Sequence, residues 1–504
     1  MGVLHLPRRT TRNMTRLRQI IFISVLCLAL YCLFQVPGES LDGSRWTNPE
    51  AYQARPRVLS PDLLSNRFLT ESQCRATFPG LLDQVDQEVA KGPFEVKRKP
   101  NNLGPMIARI RDGQLYILSA ARKTDLSKDM LAHRSATLHQ ISNALLTWPR
   151  PPSSSSSSST SPFSHIPNTI FAFNHHDDPL PSTMSYSKPA DPALLTYQDG
   201  SPRRFFPVPH FSFYSWALPF IGSLPRAARA ISSIETTLSF SEKIPKAVWR
   251  GTTWFNNPRA GRLRQNLVRA FGNAKGKPWT DIEALDWTTT TTTTTTGSND
   301  GKTTMVGAGM GERNASNALR IEDFCRYKYI IHTEGITYSG RFQFHNLCAS
   351  VVVTPPVAWM QHLTHLLRPV FSHTLEGSRP RSPIDLGEKE TQKSLAPYPQ
   401  PWLQSAWPVA YDASEANIVF VAPDWSDLEQ TIEWLEAHPQ VAEGIARRQR
   451  MLFEDGGYFS PAAEMCYWRA LIKGWSEVVR VEDGAFDDLE EVTWEEFSLK
   501  EIHK

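Results

Sequence analysis

Several familiar signatures are missing from this 504-residue sequence. It has no G-x-x-x-x-G-K-[S/T] loop, no G-x-G-x-x-G, no G-x-S-x-G elbow and no H-E-x-x-H. Those absences argue against a nucleotide triphosphatase, a serine hydrolase and a zinc protease. Cysteine is scarce, with 6 in the whole chain and no C-x-x-C pair to suggest a zinc site. An excess of one charge is missing too. The formal net charge is +3, and setting aside five N-terminal arginines leaves about −2 for the remainder. A near-neutral body lacks the basic footprint of a nucleic-acid binder, so nucleic acid is not an expected partner.

What the sequence does have begins at its N-terminus. Ile20 to Val36 carries no charge over 17 residues, the lower end of what a helix needs to span hydrocarbon. Arg8, Arg9, Arg12, Arg16 and Arg18 precede it without a single Asp or Glu. That bias predicts a cytosolic tail at 1–19, a transmembrane anchor at 20–36, and everything beyond in the secretory lumen. The competing reading is a cleaved signal peptide. It fits less well, because Phe34-Gln35-Val36-Pro37 lacks the small residues that cleavage requires. With Cys27 and Cys32 inside the anchor, Cys74, Cys325, Cys348 and Cys466 face an oxidising compartment. Four such cysteines can pair in three ways.

Residues 37–70 are polar and proline-punctuated and read as a stem. Three runs read as mobile surface insertions: serines at 151–162, threonines at 288–296, and a Pro/Ser/charged stretch at 377–401. Asn314-Ala315-Ser316 is a luminal glycosylation sequon inside the second of these regions. Between the runs, strands and helices alternate. Strands are expected at 114–118, 169–173, 246–250, 327–332, 350–353 and 418–421. Helices are expected at 130–146, from Pro258, through Phe344 and Leu347, and at 425–437, 439–453 and 461–479. Short apolar strands alternating with helices predict an α/β fold with parallel sheets. Two such groups flank the stretch near residue 240 and suggest two domains with a cleft between them.

Three constellations sit where predicted strands end. Thr333 to Phe342 (TEGITYSGRF) follows an apolar strand and opens a helix. Unpaired N–H groups there suit a phosphate, and Arg341 adds a planar, two-pronged cation. The alternative is an ordinary strand–helix turn whose arginine meets a structural carboxylate. Trp249-Arg250-Gly251-Thr252-Thr253 lies at another strand end, where open α/β sheets bind ligands, or else presents a plain surface arginine. Asn174-His175-His176-Asp177-Asp178-Pro179 has three readings: a general base, a metal site through His and Asp, or an Asx-capped turn.

At these residues the sequence resembles the CAP10 family of glycosyltransferases, which includes fungal capsule enzymes and animal protein O-glucosyltransferases. The likeness runs from about Thr70 to Glu477, through FLTESQCRATFPGL, NHHDDP, PVPHFSFYSWALP, KAVWRGTT, DFCRYKYIIHTEGITYSGRFQFHNLCASVVV and a C-terminal CYW. The resemblance implies a GT-B-type fold of two Rossmann-like domains, here an acceptor-side domain at 71–240 and a sugar-nucleotide domain at 241–480, with a tail at 481–504. It implies an inverting, metal-independent transfer from a UDP-sugar, xylose or glucose, to a hydroxyl of a glycan or protein, with no cofactor. Carried onto this chain, Arg250, Gly251, Thr252, Ser339, Gly340 and Arg341 line the donor pocket, and Asp177, with Asp178 beside it, falls at the general-base position. It also implies the pairs Cys325–Cys348 and Cys74–Cys466. The rival readings are a non-catalytic luminal glycan-binding protein on the same fold, and a retaining or metal-dependent enzyme using His175, His176 and Asp177. The C-terminus, Glu-Ile-His-Lys, is not a KDEL-type signal, leaving the Golgi or endoplasmic reticulum membrane as the expected location.

Overall fold

The computed structural model of the protein describes residues 58–98, 104–150, 165–256, 261–288, 314–375, 401–409 and 411–503. The expected tail, anchor and early stem lie outside these residues. So do the three insertion runs, apart from Thr288 and Pro401 at their edges. Among the described residues no helix is long and apolar enough to cross a membrane. By contacts the chain divides into Met1–Thr47 and Asn48–Lys504, and every described residue belongs to the second unit.

The first sheet is built from Met106–Arg111 (β1), Gln114–Ser119 (β2), Thr169–Phe173 (β3), Thr183–Ser185 (β4) and Phe205–Pro207 (β5). β1 and β2 form a hairpin over Asp112-Gly113, with φ of 52° and 76°. Asp-Gly tolerates that left-handed pair, and its twist matches the strands it joins. β3 pairs antiparallel with β1, while β4 and β5 extend the sheet in parallel. The second sheet contains Ile244–Gly251 (β6), Thr280–Ala284 (β7), Tyr327–Ile331 (β8), Val351–Thr354 (β9), Pro369–Phe371 (β10) and Ile418–Phe420 (β11). Its order is β10-β11-β9-β8-β6-β7, and every pairing is parallel. Val351, Val352 and Val353 are all buried, the mark of a strand covered on both faces. The fold class is therefore α/β with a parallel sheet, as the alternation of elements predicts.

Glu71–Thr77 (α1), Asp83–Ala90 (α2), Lys128–Leu146 (α3), Leu224–Thr237 (α4), Leu263–Phe271 (α5) and Phe342–His345 (α6) are the helices up to the middle of the chain that matter here. Leu428–Ala437 (α7), Pro439–Arg450 (α8) and Pro461–Val478 (α9) follow. Leu263, Leu267 and Phe271 of α5 join α7 and α8 in covering the second sheet around Trp249, Ile331 and Val353. Several helix ends differ from the sequence expectation: the helix expected at 425–437 starts at Leu428, and the one at 439–453 ends as α-helix at Arg450. The one expected from Pro258 starts at Leu263, because Gly261 adopts φ +60°, outside helical space. The one expected to run through Leu347 is a single turn. Asn346 Nδ2 donates to the Phe342 carbonyl at 2.6 Å, a local bond that competes with helix continuation.

α9 leaves the second sheet and packs against the first. Ser460 caps it, Pro461 occupies its first turn, and Trp475 Nε1 donates to the Ile170 carbonyl at 2.9 Å. Trp468 Nε1 bonds Gln140 of α3 at 3.0 Å. Cys74–Cys466 ties α1 to this helix, with Cα atoms 5.7 Å apart. Residues 481–504, expected as a tail, add a strand at Val492–Thr493 beside β2 and a helix at Trp494–His503.

Candidate active site

Parallel pairing puts the carboxyl ends of β6 and β8 side by side, so the Gly251–Thr253 and His332–Arg341 segments emerge together. From the first sheet, β3 ends at Phe173 and Asn174 follows it. There Asn174 Oδ1 accepts from the His176 N–H at 3.3 Å, and Asn174 Nδ2 donates to the Asp178 carbonyl at 2.6 Å. The Asx-turn reading thus holds for Asn174 and leaves Asp177 free for other work. Thr337 Oγ1 then donates to the Asp177 carbonyl at 2.8 Å, joining the turn to the loop after β8.

Asp177 is exposed, yet burial is the leading cause raising its carboxyl above the ordinary 3.8. Asp178 raises it further, and Arg264 opposes both. Open to solvent but crowded by protein, this carboxyl has the surroundings of a cleft floor. His175 and His176 flank it with both ring systems held below 6.5, His175 to about 3, chiefly by desolvation. His175, His176 and Asp177 do not bring three ligand atoms together. Among the described residues only Glu235, Cys325 and Cys348 do so, and those sulfurs share a disulfide.

The donor-side residues divide into two groups. Arg341 opens α6, keeps partial solvent access, and donates to the Arg250 carbonyl. Desolvation draws it down to about 10, so it remains a cation. Gly340 meets the segment after β5 so closely that a Cβ would lie 2.4 Å from His210 and 2.9 Å from Trp216. Ser339 beside it is 7% exposed. Gly251 leaves no room either, since a Cβ there would stand 2.5 Å from the Trp249 ring. The Thr252 hydroxyl accepts from Trp287 Nε1 at 3.1 Å. Arg250 faces elsewhere: its guanidinium bonds Asp281 Oδ1 at 2.7 Å, the Asp281 carbonyl at 2.8 Å and the Asn317 carbonyl at 3.2 Å. An incoming anion reaches that guanidinium only in competition with Asp281. What Arg250 lends the cluster is its carbonyl.

Sequence reasoning missed Arg264. It lies on α5, is 6% exposed, and bonds the carbonyls of Glu334 at 2.8 Å and Thr252 at 3.0 Å. Tyr338 and Tyr186 were missed as well. Burial first, and then Asp177 among other groups, raises both phenols, which places the two rings in the electrostatic reach of that carboxylate. Arg264 stands next to Leu263 in an apolar repeat, and nothing in the spacing sets it apart from a solvent-facing arginine. Cys325–Cys348 closes around β8 and the Thr333–Phe342 segment, with Cα atoms 5.0 Å apart. The Asn314-Ala315-Ser316 sequon is partly in a strand: Asn314–Ala315 pairs with Trp287–Thr288, and Ser316 Oγ donates to Asp286 at 2.9 Å.

An α/β scaffold with a carboxylate, an arginine bonded only to main-chain oxygen among the described residues, and glycine-spaced loops at strand ends suits group transfer. Comparison with known proteins supplies the class: residues 160–374 match Glycosyl transferase family 90. Asp177, Arg250, Arg264 and Arg341 all fall within the matched stretch. A curated relative, the O-glucosyltransferase rumi homolog of Aedes aegypti, is 25% identical over 165 residues. That alignment covers 32% of this chain and 30% of the mosquito protein, so the likeness spans under a third of each.

Proposed function

We propose that the protein is a luminal, membrane-anchored glycosyltransferase of GT-B type that moves xylose or glucose from a UDP-sugar to a hydroxyl of a glycan or protein. One observation carries the reading: the turn bearing Asp177 is bonded through Thr337 to the loop that leads into Arg341. A carboxylate able to take a proton and a cation able to meet a diphosphate are thereby held in one framework. The name of the mosquito relative, an O-glucosyltransferase, favours glucose of the two sugars.

In this reading the acceptor oxygen bonds to the anomeric carbon while its proton passes to Asp177. The bond from that carbon to the diphosphate oxygen breaks, and UDP departs with the electron pair. Attack opposite the leaving group inverts the centre. Charge growing on the diphosphate meets Arg341, with the strand-end N–H groups as further fixed donors. These groups supply the stabilisation that a metal provides in other transferases, so the transfer is metal-independent. The anchor at Ile20 to Val36 would hold the enzyme in a Golgi or endoplasmic reticulum membrane.

The test is UDP release by the full-length protein from UDP-glucose and UDP-xylose, with and without EDTA. Release that survives EDTA and falls by about 10²-fold or more in Asp177→Asn supports the proposal. EDTA-sensitive release would return His175, His176 and Asp177 to metal chemistry. Silence with every donor would leave the glycan-binding reading.

A further inference from the structure

Buried arginines are costly unless something answers their charge. Among the described residues the hydrogen bonds of Arg264 all go to main-chain oxygen, while Asp177 and then Glu334 favour its charge without bonding it. Nε donates to the Glu334 carbonyl at 2.8 Å, Nη1 to the Thr252 carbonyl at 3.0 Å, and Nη2 to the Thr333 carbonyl at 3.5 Å. Glu334, which favours the Arg264 charge less than Asp177 does, turns its carboxylate to the N–H groups of Ala358 and Trp359, at 3.2 and 2.9 Å. Arg341 stands close enough to oppose Arg264 electrostatically, and neither guanidinium has a carboxylate ion pair among the described residues. Arg264 in the core and the partly exposed Arg341 repel each other, and an incoming dianion would offset that repulsion.

The carbonyls held by Arg264 matter for what stands behind them. In a trans peptide the C=O and the next N–H point in opposite directions. Arg264 draws the Thr252 carbonyl inward, so the Thr253 N–H points the opposite way, at a partly exposed residue. That N–H has no acceptor among the described residues. Across the gap, Gly335 allows the loop after β8 to pass within 3.2 Å of Arg264 Nη2, measured from the Cβ it lacks.

We propose that Arg264 is a positioning residue: from inside the core it clamps the carbonyls of Thr252, Thr333 and Glu334, and so holds the ends of β6 and β8 in the register at which the Thr253 N–H and Arg341 meet an anionic donor. The inference rests on the donor reading above. It adds a second effect. Among the described residues Arg264 is also the cation that favours the ionised form of Asp177; Asp178 opposes it, Tyr186 and Tyr338 are in its reach, and His175 and His176 precede it in the same turn. Desolvation lowers Arg264 to about 9, so its charge persists at neutral pH.

Two variants of the full-length protein separate these roles, with UDP binding read by calorimetry and kcat/KM read against pH. Arg264→Lys keeps the charge, but a compact ammonium cannot span three carbonyls. It should weaken UDP binding about tenfold or more and leave the acid limb of the pH profile in place. Arg264→Met should show the same loss and move the acid limb up by about one pH unit, since Asp177 loses the cation favouring its ionised form. UDP binding in Arg264→Lys equal to the wild type overturns the clamp. So do variants that lower only the melting temperature, with UDP affinity and the acid limb unchanged. A wild-type protein that neither binds nor turns over UDP-sugars overturns the donor reading, and this inference with it.

Discussion

At Asp177, burial and Asp178 both push the carboxyl above 3.8. A base works only when ionised, so activity should fall as pH drops through that raised value. The acid limb of kcat/KM therefore lies above 3.8. Asp178→Asn removes one of the raising charges and should move the limb down by about half a pH unit, with turnover retained. Turnover lost in Asp178→Asn and kept in Asp177→Asn would transfer the base to Asp178. The contrast between Asp177 and Arg264 shows how much of the site a sequence can disclose. Asp177 and Arg341 sit in short motifs whose residue types already suit the chemistry. Arg264 bonds carbonyls 12 and 70 positions away, and Arg250 is engaged by Asp281, 31 positions on. No local pattern encodes such contacts.

Among the elements, the strands were the most legible. Apolar runs such as Tyr327–Ile331 and Val351–Thr354 lie where their hydrophobicity puts them. Helix ends were less so, because Gly261 and Asn346 act through backbone conformation and one side-chain bond. The Cys325–Cys348 bridge is the element-scale constraint on the donor loop: it spans 23 positions and fastens the segment before β8 to the end of α6. Replacing both cysteines by serine should cost about 2–4 kcal/mol in denaturant unfolding. It should also weaken UDP binding, because Arg341 opens the helix that the bridge anchors. Unchanged UDP affinity in the double variant would confine the bridge to stability.

For the whole molecule, acid is the predicted weakness. Desolvation holds His133, His175, His332 and His362 near 3, His365 near 4, and His210 and His345 well below 6.5. Unfolding returns each to about 6.5, so below that pH the unfolded chain binds more protons than the folded one. Each histidine's contribution is complete above about pH 6.5 and shrinks by about 1.4 kcal/mol per pH unit as pH falls towards its folded value. The melting temperature should be flat above about pH 7 and drop steeply between about 6 and 5. A flat profile down to pH 5 would mean that these rings are not neutral and buried in solution. The proposed anchor gives a second test at this scale: the protein should stay with membranes after a carbonate wash, and release into the supernatant would favour a cleaved leader.

By itself the sequence determined the α/β class, the positions of most strands, the two strand-end motifs and the resemblance that pairs the cysteines, because these follow from local hydrophobicity, turn chemistry and residue order. Tertiary structure alone decided that α9 and the last strand return to the first sheet, that Arg250 is spoken for by Asp281, and that Arg264 holds the two loops beside Asp177. The physical reason is the same in each case. Burial and main-chain hydrogen bonding between distant segments assign a charged side chain its partner, and one sequence position does not reveal which segment will arrive beside it.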